Sequence, residues 1–415
     1  MSKVLQGAGA VPDSAKRFPA AETVRTSTVP AGQHRSREVE AGSGSAGKAA
    51  GASSRGGAGS GSTGKPARPG RQRYASRHRQ RRRRAVVAGL GAAVVVLFFV
   101  NVLLGSYTVT IPDFFRLLGG ADIPGASFIV MENKLPRAVT GTLIGVAFGL
   151  AGAIFQTMLR NPLASPDIIG ISYGASASAV AAMVIFGLTG VAVSAAAMIG
   201  ALVIALLIYL VSHRSGVSGG ASARLILIGI GFAAIMQAVV GYLMTRTDIR
   251  TAQGALVWLN GSLNSSNWDR AAVLAASLVL LLPAVAMLSR SLRGLEMGDD
   301  AAAGLGVRVG PARLGLVVTA VLLAAVATAA AGPVAFVAFL AGPIARRLLG
   351  GAGSLVAAAG VGAVIVLAAD FAAANLIPMF LTNGTALPVG VVTGALGAPF
   401  LLWLLVTTNR VGRGG

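Results

Sequence analysis

The chain has 415 residues, of which 54% are hydrophobic and only 12% charged; a soluble domain carries about 25% charged residues, so an ordinary globular enzyme is excluded. It contains no cysteine, which removes disulfides, thiol catalysis and Cys-based metal sites, and His34, His78 and His213 are too scattered for a metal cluster. The net charge of +21 belongs mostly to one end: residues 1–84 hold 18 Lys/Arg against 4 Asp/Glu, and the rest hold 17 against 10.

Residues 1 to about 72 are rich in Gly, Ala, Ser and Pro and poor in large apolar side chains. Such a segment cannot bury enough surface to offset chain entropy, so a disordered basic tail over 1–84 is expected. Within it, Gly59–Pro66 imitates a phosphate-binding loop, but Pro66 replaces the Ser/Thr and neither strand nor helix flanks it, so it reads as a chance match. The basic run Arg71–Arg84 abuts an apolar stretch. That placement favours an anchor on anionic lipid that obeys the positive-inside rule over nucleic-acid binding. The charged region is far too long for a cleaved signal peptide.

A span needs about 20 apolar residues. Ten candidate segments follow, at about 85–104, 137–159, 172–188, 191–212, 224–245, 271–289, 313–331, 334–349, 353–374 and 387–406, with the third and eighth short and glycine-rich. With the N-terminus inside, the cytoplasmic connections and C-terminal tail (407–415) hold 11 Arg and the outer loops 6 Lys/Arg. This favours both termini in the cytoplasm.

Between Leu135 and Ala175 a glycine-spaced apolar helix runs into the break Arg160-Asn161-Pro162-Leu163-Ala164-Ser165-Pro166-Asp167, and a second apolar run follows. In a membrane, broken backbone is tolerated only where protein or a water-filled path satisfies its polar groups, so a transport path is expected near it. Gly141, Gly145 and Gly149 fall on one helix face and predict close helix packing. Pro166 with Gly170 and Gly174, and Pro388 with Gly390 and Gly394, form one early and one late Pro-then-GxxxGA unit, which suggests an internal repeat. Asp370 is an acid well inside a late apolar segment; it reads equally as a functional buried charge or as a hydrated group near the outer helix end. Gln156 and Asn375 either line the path or bond neighbouring helices. In the loop Ser289–Arg313, the stretch Glu296–Leu305 predicts two short helices bent at glycine, against which a cytosolic partner could seat closely.

Several of these motifs, in this order, resemble the FecCD-type permease family, the membrane subunits of ABC importers for iron-siderophores, haem and cobalamin. They are LPR (Leu135–Arg137), the Gln156 helix end, RNPLASPDIIGISYGA (Arg160–Ala175), WLNGSLNSSNW (Trp258–Trp268), LEMGDDAAAGLGV (Leu295–Val307), GPVAFVAFLAGPIARRLLG (Gly332–Gly350) and LPVGVVTGALGAPFLLWLL (Leu387–Leu405). The resemblance covers about Ser106–Leu405. It implies an all-α, ten-helix membrane subunit over 85–406 that dimerises around a translocation path. It also implies cytoplasmic ATPase subunits that bind and hydrolyse the ATP, with no cofactor on this chain, and an extracellular siderophore-binding protein. Gly298, Asp299, Ala303, Gly304, Leu305 and Gly306 would contact the ATPase. Lys134 and Arg137 would dock the binding protein through opposite charges. Gln156, Asn161, Pro162, Pro166, Gly170, Gly174 and Asp370 would line the path or its helix break.

Two departures stand out. The family commonly has Pro-His where this chain has Gly342-Pro343 without the His, and often an Arg where this chain has Ala374. A docking role for that Arg does not carry over, and a reduced docking set favours a heterodimer with a second permease. Siderophores are favoured as cargo over cobalamin or haem. An ion-coupled secondary transporter is the alternative of a different class, with Asp370 as its lone candidate acid.

Overall fold

A computed structural model describes residues 69–411 except 106, 214–220 and 381–385. In chain order the helices are α1 (Pro69–Leu103), α2 (Ile111–Leu118), α3 (Ala126–Phe128), α4 (Leu135–Met158), α5 (Ile171–Phe186), α6 (Val191–His213), α7 (Ala221–Met244) and α8 (Ile249–Leu259). Then come α9 (Trp268–Glu296), α10 (Asp299–Gly304), α11 (Val309–Ala331), α12 (Val337–Leu348), α13 (Leu355–Phe371), α14 (Ile377–Phe380) and α15 (Val389–Val411). Two π-helical turns, Ile129–Lys134 and Ala372–Leu376, precede α4 and follow α13. No strand occurs among the described residues.

Seven helical stretches are long and apolar enough to cross a membrane. The expected segments 172–188, 334–349 and 387–406 fall on α5, α12 and α15, of which α12 has only 12 residues, about 18 Å against a hydrocarbon core of about 30 Å. Two expectations are corrected. The tail does not stay irregular to residue 84, because 69–84 are helical and continue into α1; Arg and Gln are good helix formers, and Arg71–Arg84 contains neither glycine nor proline. The rest of that tail, with the phosphate-loop mimic, lies outside the described residues. At the other end, 407–411 belong to α15, and only 412–415 lie outside the described residues.

The bundle is organised around α4. Its glycine stripe lies directly on the α13 backbone: a Cβ on Gly145 would sit 2.5 Å from Ala363 Cα, and one on Gly149 would overlap Ala358 O. One turn further, Gly152 meets Ala338 O at the start of α12. Small residues allow this approach, which replaces side-chain interdigitation by backbone contact. Ile144, Phe148, Ile154 and Phe155 of α4 fill the surrounding core with Leu316 and Leu323 of α11 and Leu274 of α9. On a second face of the bundle, α5 and α6 pack through Gly174 and Gly200. Outside the core, α1 is tied to α13 by Asn101 Nδ2, which donates to Leu367 O at 3.1 Å.

At the basic end of the bundle Arg83 of α1, the C-terminal ends of α4, α9 and α12 and the start of α13 meet around one pocket. The opposite end carries α2, the two π turns and the start of α9. There Thr110 caps α2, and Phe114 and Leu117 bury against Phe98 and Phe99 of α1. Trp268 Nε1 donates to Met131 O at 2.7 Å, pinning α9 to the first π turn.

Candidate functional site

Three features stand out, two at breaks between helices and one in a loop at the basic end. The first is the helix break after α4. Arg160 N–H bonds Thr157 O and Asn161 N–H bonds Gln156 O, the paired bonds of a Schellman cap. Arg160 takes the left-handed position (φ 51°) where glycine is usual. Its guanidinium lies beside the loop after α9, with Nη1 3.4 Å from where a Cβ on Gly298 would sit. Asn161 Oδ1 accepts from Leu163 N (2.9 Å), Pro162 stays exposed, and Ser165 Oγ accepts from Ile168 N (3.3 Å). The chain then runs through buried Pro166 to Gly170 (φ 90°), whose Cβ position is 2.7 Å from Gly229 O of α7. Gly174 follows in α5, against Ile204 and Gly200 of α6.

Asp167, between Pro166 and Gly170, accepts from Ser172 Oγ through Oδ1, while its Oδ2 is out of water with no donor among the described residues. Burial pushes this carboxyl above the usual carboxylate range, and the Ser172 bond opposes that shift.

A second set of breaks meets nearer the opposite end, and sequence reasoning did not connect its members. Gly261 (φ 69°) follows α8 and packs on Pro333 O, between α11 and α12. Ser262 N–H donates to Ala331 O (2.8 Å), and Gly390 N–H, at the start of α15, donates to Gly261 O (3.2 Å). Irregular backbone is thus satisfied by irregular backbone, as a membrane interior demands. Beside it opens a cavity of about 380 Å³, lined by Trp258, Ser262, Asn264, Ser265 and Arg270 among others. The two Pro-then-glycine units of the sequence are not equivalent: Gly390 meets Asn260 O, while Gly394 meets nothing within 4 Å.

From this second set α12 starts inside the bundle, at Phe336 in left-handed conformation (φ 64°). Its Pro343 has no N–H to give Phe339 O, four residues earlier. Gln156 of α4 fills that vacancy: Nε2 donates to Phe339 O at 2.9 Å, and Oε1 accepts from Arg346 Nη2 at 3.2 Å. Gln156 is fully buried. Of the two sequence readings, path lining or helix bonding, the geometry selects bonding for this residue.

The third feature is the loop after α9. Among the described residues it holds one short helix, where two were expected, because α9 itself continues to Glu296. Gly298 has φ 115° and ψ 160°, a region open essentially to glycine alone. Asp299 is held by Arg313 Nη2, 2.9 Å from each carboxylate oxygen. Met297 and Leu305 stand 62% and 65% exposed at either end of α10, and Ala303, Gly304 and Gly306 are exposed beside them.

At the opposite end, Arg137 and Asp370 form a bidentate pair, Nε and Nη2 each 2.8 Å from a carboxylate oxygen. Asp370 is 2% exposed. Arg137, expected as a free docking cation, is engaged within the chain, and Asp370 is not the hydrated acid of the second reading. Lys134 is also occupied, donating to Leu104 O (2.8 Å) and Tyr107 O. The π turns flank the pair, one ending three residues before Arg137 and the other beginning two after Asp370. Asn375, in the second turn, donates to Phe371 O at 3.2 Å. The pair joins residues 233 positions apart, so no local signal revealed it. Arg160 could have been flagged as a non-glycine residue at a helix stop.

Apolar helices of spanning length around interrupted helices define a multi-pass membrane protein. The chain belongs to the FecCD transport family, which residues 93–407 match. It is 41% identical over 322 residues to the ferric enterobactin transport system permease protein FepG of Escherichia coli K12, covering 77% of this chain and 95% of that one. It is 39% identical to the achromobactin transport system permease protein CbrC of Dickeya dadantii 3937, covering 70% and 82%. A solved structure of a metal-chelate type ABC transporter in an inward-facing conformation superposes with a TM-score of 0.65 at 25% identity, over 78% of this chain and 99% of that one.

Proposed function

We propose that this chain is the membrane permease subunit of an ABC importer for ferric siderophores. The observation that carries the reading is kinship with a ferric enterobactin permease over nearly the whole length of that relative. In this reading α5, α12 and α15 complete ten spans, both termini face the cytoplasm, and the basic end is the cytoplasmic end, as the excess of arginine there supports. ATP is bound and hydrolysed by separate cytoplasmic ATPase subunits. The loop around α10 is their seat: its exposed Met297 and Leu305 offer an apolar contact, Arg313 ties it to α11 through Asp299, and Arg160 at the end of α4 lies beside Gly298. A push on α10 is thereby transmitted to the helix break. The cargo is handed over by an extracellular binding protein and enters near the Arg270 cavity. A second permease, favoured as a different chain, completes the path.

Gly298→Trp tests this reading. The backbone at Gly298 excludes any side chain, and an indole there would displace the ATPase seat without touching the apolar core. Expected is loss of ATP-dependent uptake of ferric siderophore at normal membrane insertion. Normal uptake by that variant, or failure of the intact protein to co-purify with any ATPase, would reject the proposal.

A further inference from the structure

At the basic end, three arginines from three different helices converge on one pocket of about 190 Å³: Arg83 of α1, Arg293 of α9 and Arg346 of α12. Glu296 is its one carboxylate. None of these four groups lies within ion-pair distance of an opposite charge among the described residues. Arg346 spends one donor on Gln156 Oε1, and Arg83 and Arg293 line the pocket with no acceptor among the described residues. Ser354, the N-cap of α13, also lines it. The first turn of a helix presents N–H groups without intrahelical partners and favours a negative charge. Three guanidiniums against one carboxylate, with hydrogen-bond donors in between, make a receptor for a tetrahedral oxyanion.

The surroundings select its source. α1 passes from Arg81–Arg84 straight into apolar residues, so Arg83 sits where a bilayer surface meets the hydrocarbon. Leu292, Leu355 and Val356 form an apolar wall beside the arginines, and Val356 is 60% exposed. A free anion has no use for that wall, whereas an acyl chain does. The geometry points to the phosphate of an anionic phospholipid headgroup, held by Arg83, Arg293 and Arg346 with its tail along Leu355 and Val356. Basic pockets between helices at a membrane surface bind such headgroups. The site lies at the last turn of α9, two residues before Gly298, so an occupied pocket restrains the root of the α10 loop. The inference stands independently of the importer reading.

Native mass spectrometry of the purified full-length chain, delipidated in neutral detergent and titrated separately with phosphatidylglycerol, phosphatidylcholine and inorganic phosphate, tests it. Phosphatidylglycerol should bind preferentially over phosphatidylcholine. R83Q and R293Q, both at exposed positions, should each weaken that binding about fivefold. R290Q, on the same helix but outside the pocket, should leave it nearly unchanged. E296Q should tighten it, a gain that misfolding cannot imitate. Equal binding by all variants would overturn the site. Pocket-dependent binding of inorganic phosphate without lipid selectivity would overturn the lipid assignment.

Discussion

α4 and α7 have the same length, 24 residues, and lie in spans of nearly equal mean hydropathy, 1.9 and 2.1, yet 78% of the apolar stretch of one is buried and only 6% of that of the other. Both carry spaced glycines. Gly145, Gly149 and Gly152 of α4 meet the backbone of α13 and α12, whereas in α7 only Gly229 meets backbone, at Ile169 O, and Gly231 and Gly241 meet nothing within 4 Å. Leu227, Ile230, Ile235 and Tyr242 of α7 are exposed. Hydropathy therefore reports the solvent a helix tolerates, and not its place in the bundle. That place is set by where small residues find another backbone and where polar side chains find partners.

The sharpest way to break this comparison is to add bulk to each helix. Gly152→Leu would drive a side chain into Ala338 O, and overpacking a backbone contact of this kind should cost at least about 3 kcal/mol. Loss of monodisperse protein on size-exclusion chromatography is the expected outcome. Gly241→Leu should change stability by no more than about 0.5 kcal/mol in a thermal melt. Equal tolerance at both sites would mean that α4 is not the organising helix.

The Arg137–Asp370 pair is the next test. Asp370→Leu leaves Arg137 nearly buried and unpaired, which should destabilise by about 3–5 kcal/mol. Arg137→Leu combined with Asp370→Leu removes both charges and should recover most of that loss in a thermal-melt cycle. If Asp370→Leu alone melts like the parent chain, the pair holds nothing together.

Much of this was legible in the sequence because the signals are local. Ten apolar runs each fall on a helix, and the glycine period of Gly141, Gly145 and Gly149 named the packed face of α4. The break at Arg160–Asp167 was marked by its prolines. What escaped is either distant or depends on side-chain competition. Arg137 and Asp370 each suggested a role of its own, docking for one and a lone acid for the other, because nothing local shows that they neutralise each other. Arg71–Arg84 carries the charge of a disordered tail but also the helix propensity of Arg and Gln, and the propensity prevails where the run joins the apolar helix α1. The meeting of Gly261, Pro333 and Gly390 joins three breaks that are each ordinary alone.

Gln156 and Pro343 provide the finest test of α4 as the central helix, because their link follows from covalent structure. Proline at 343 leaves Phe339 O without its helical donor, and Gln156 supplies one from a neighbouring helix. Gln156→Leu keeps the volume and orphans that carbonyl in a fully buried place, so a loss of about 1–2 kcal/mol is expected. Pro343→Ala restores the N–H of α12 and lets Phe339 O bond within its own helix. In the Pro343→Ala background, Gln156→Leu should therefore cost far less. A four-point thermal-melt cycle measures the coupling directly. If Gln156→Leu costs the same with and without Pro343, the glutamine serves another partner, with Arg346 Nη2 as the candidate, and the orphan carbonyl is not what holds it in the core.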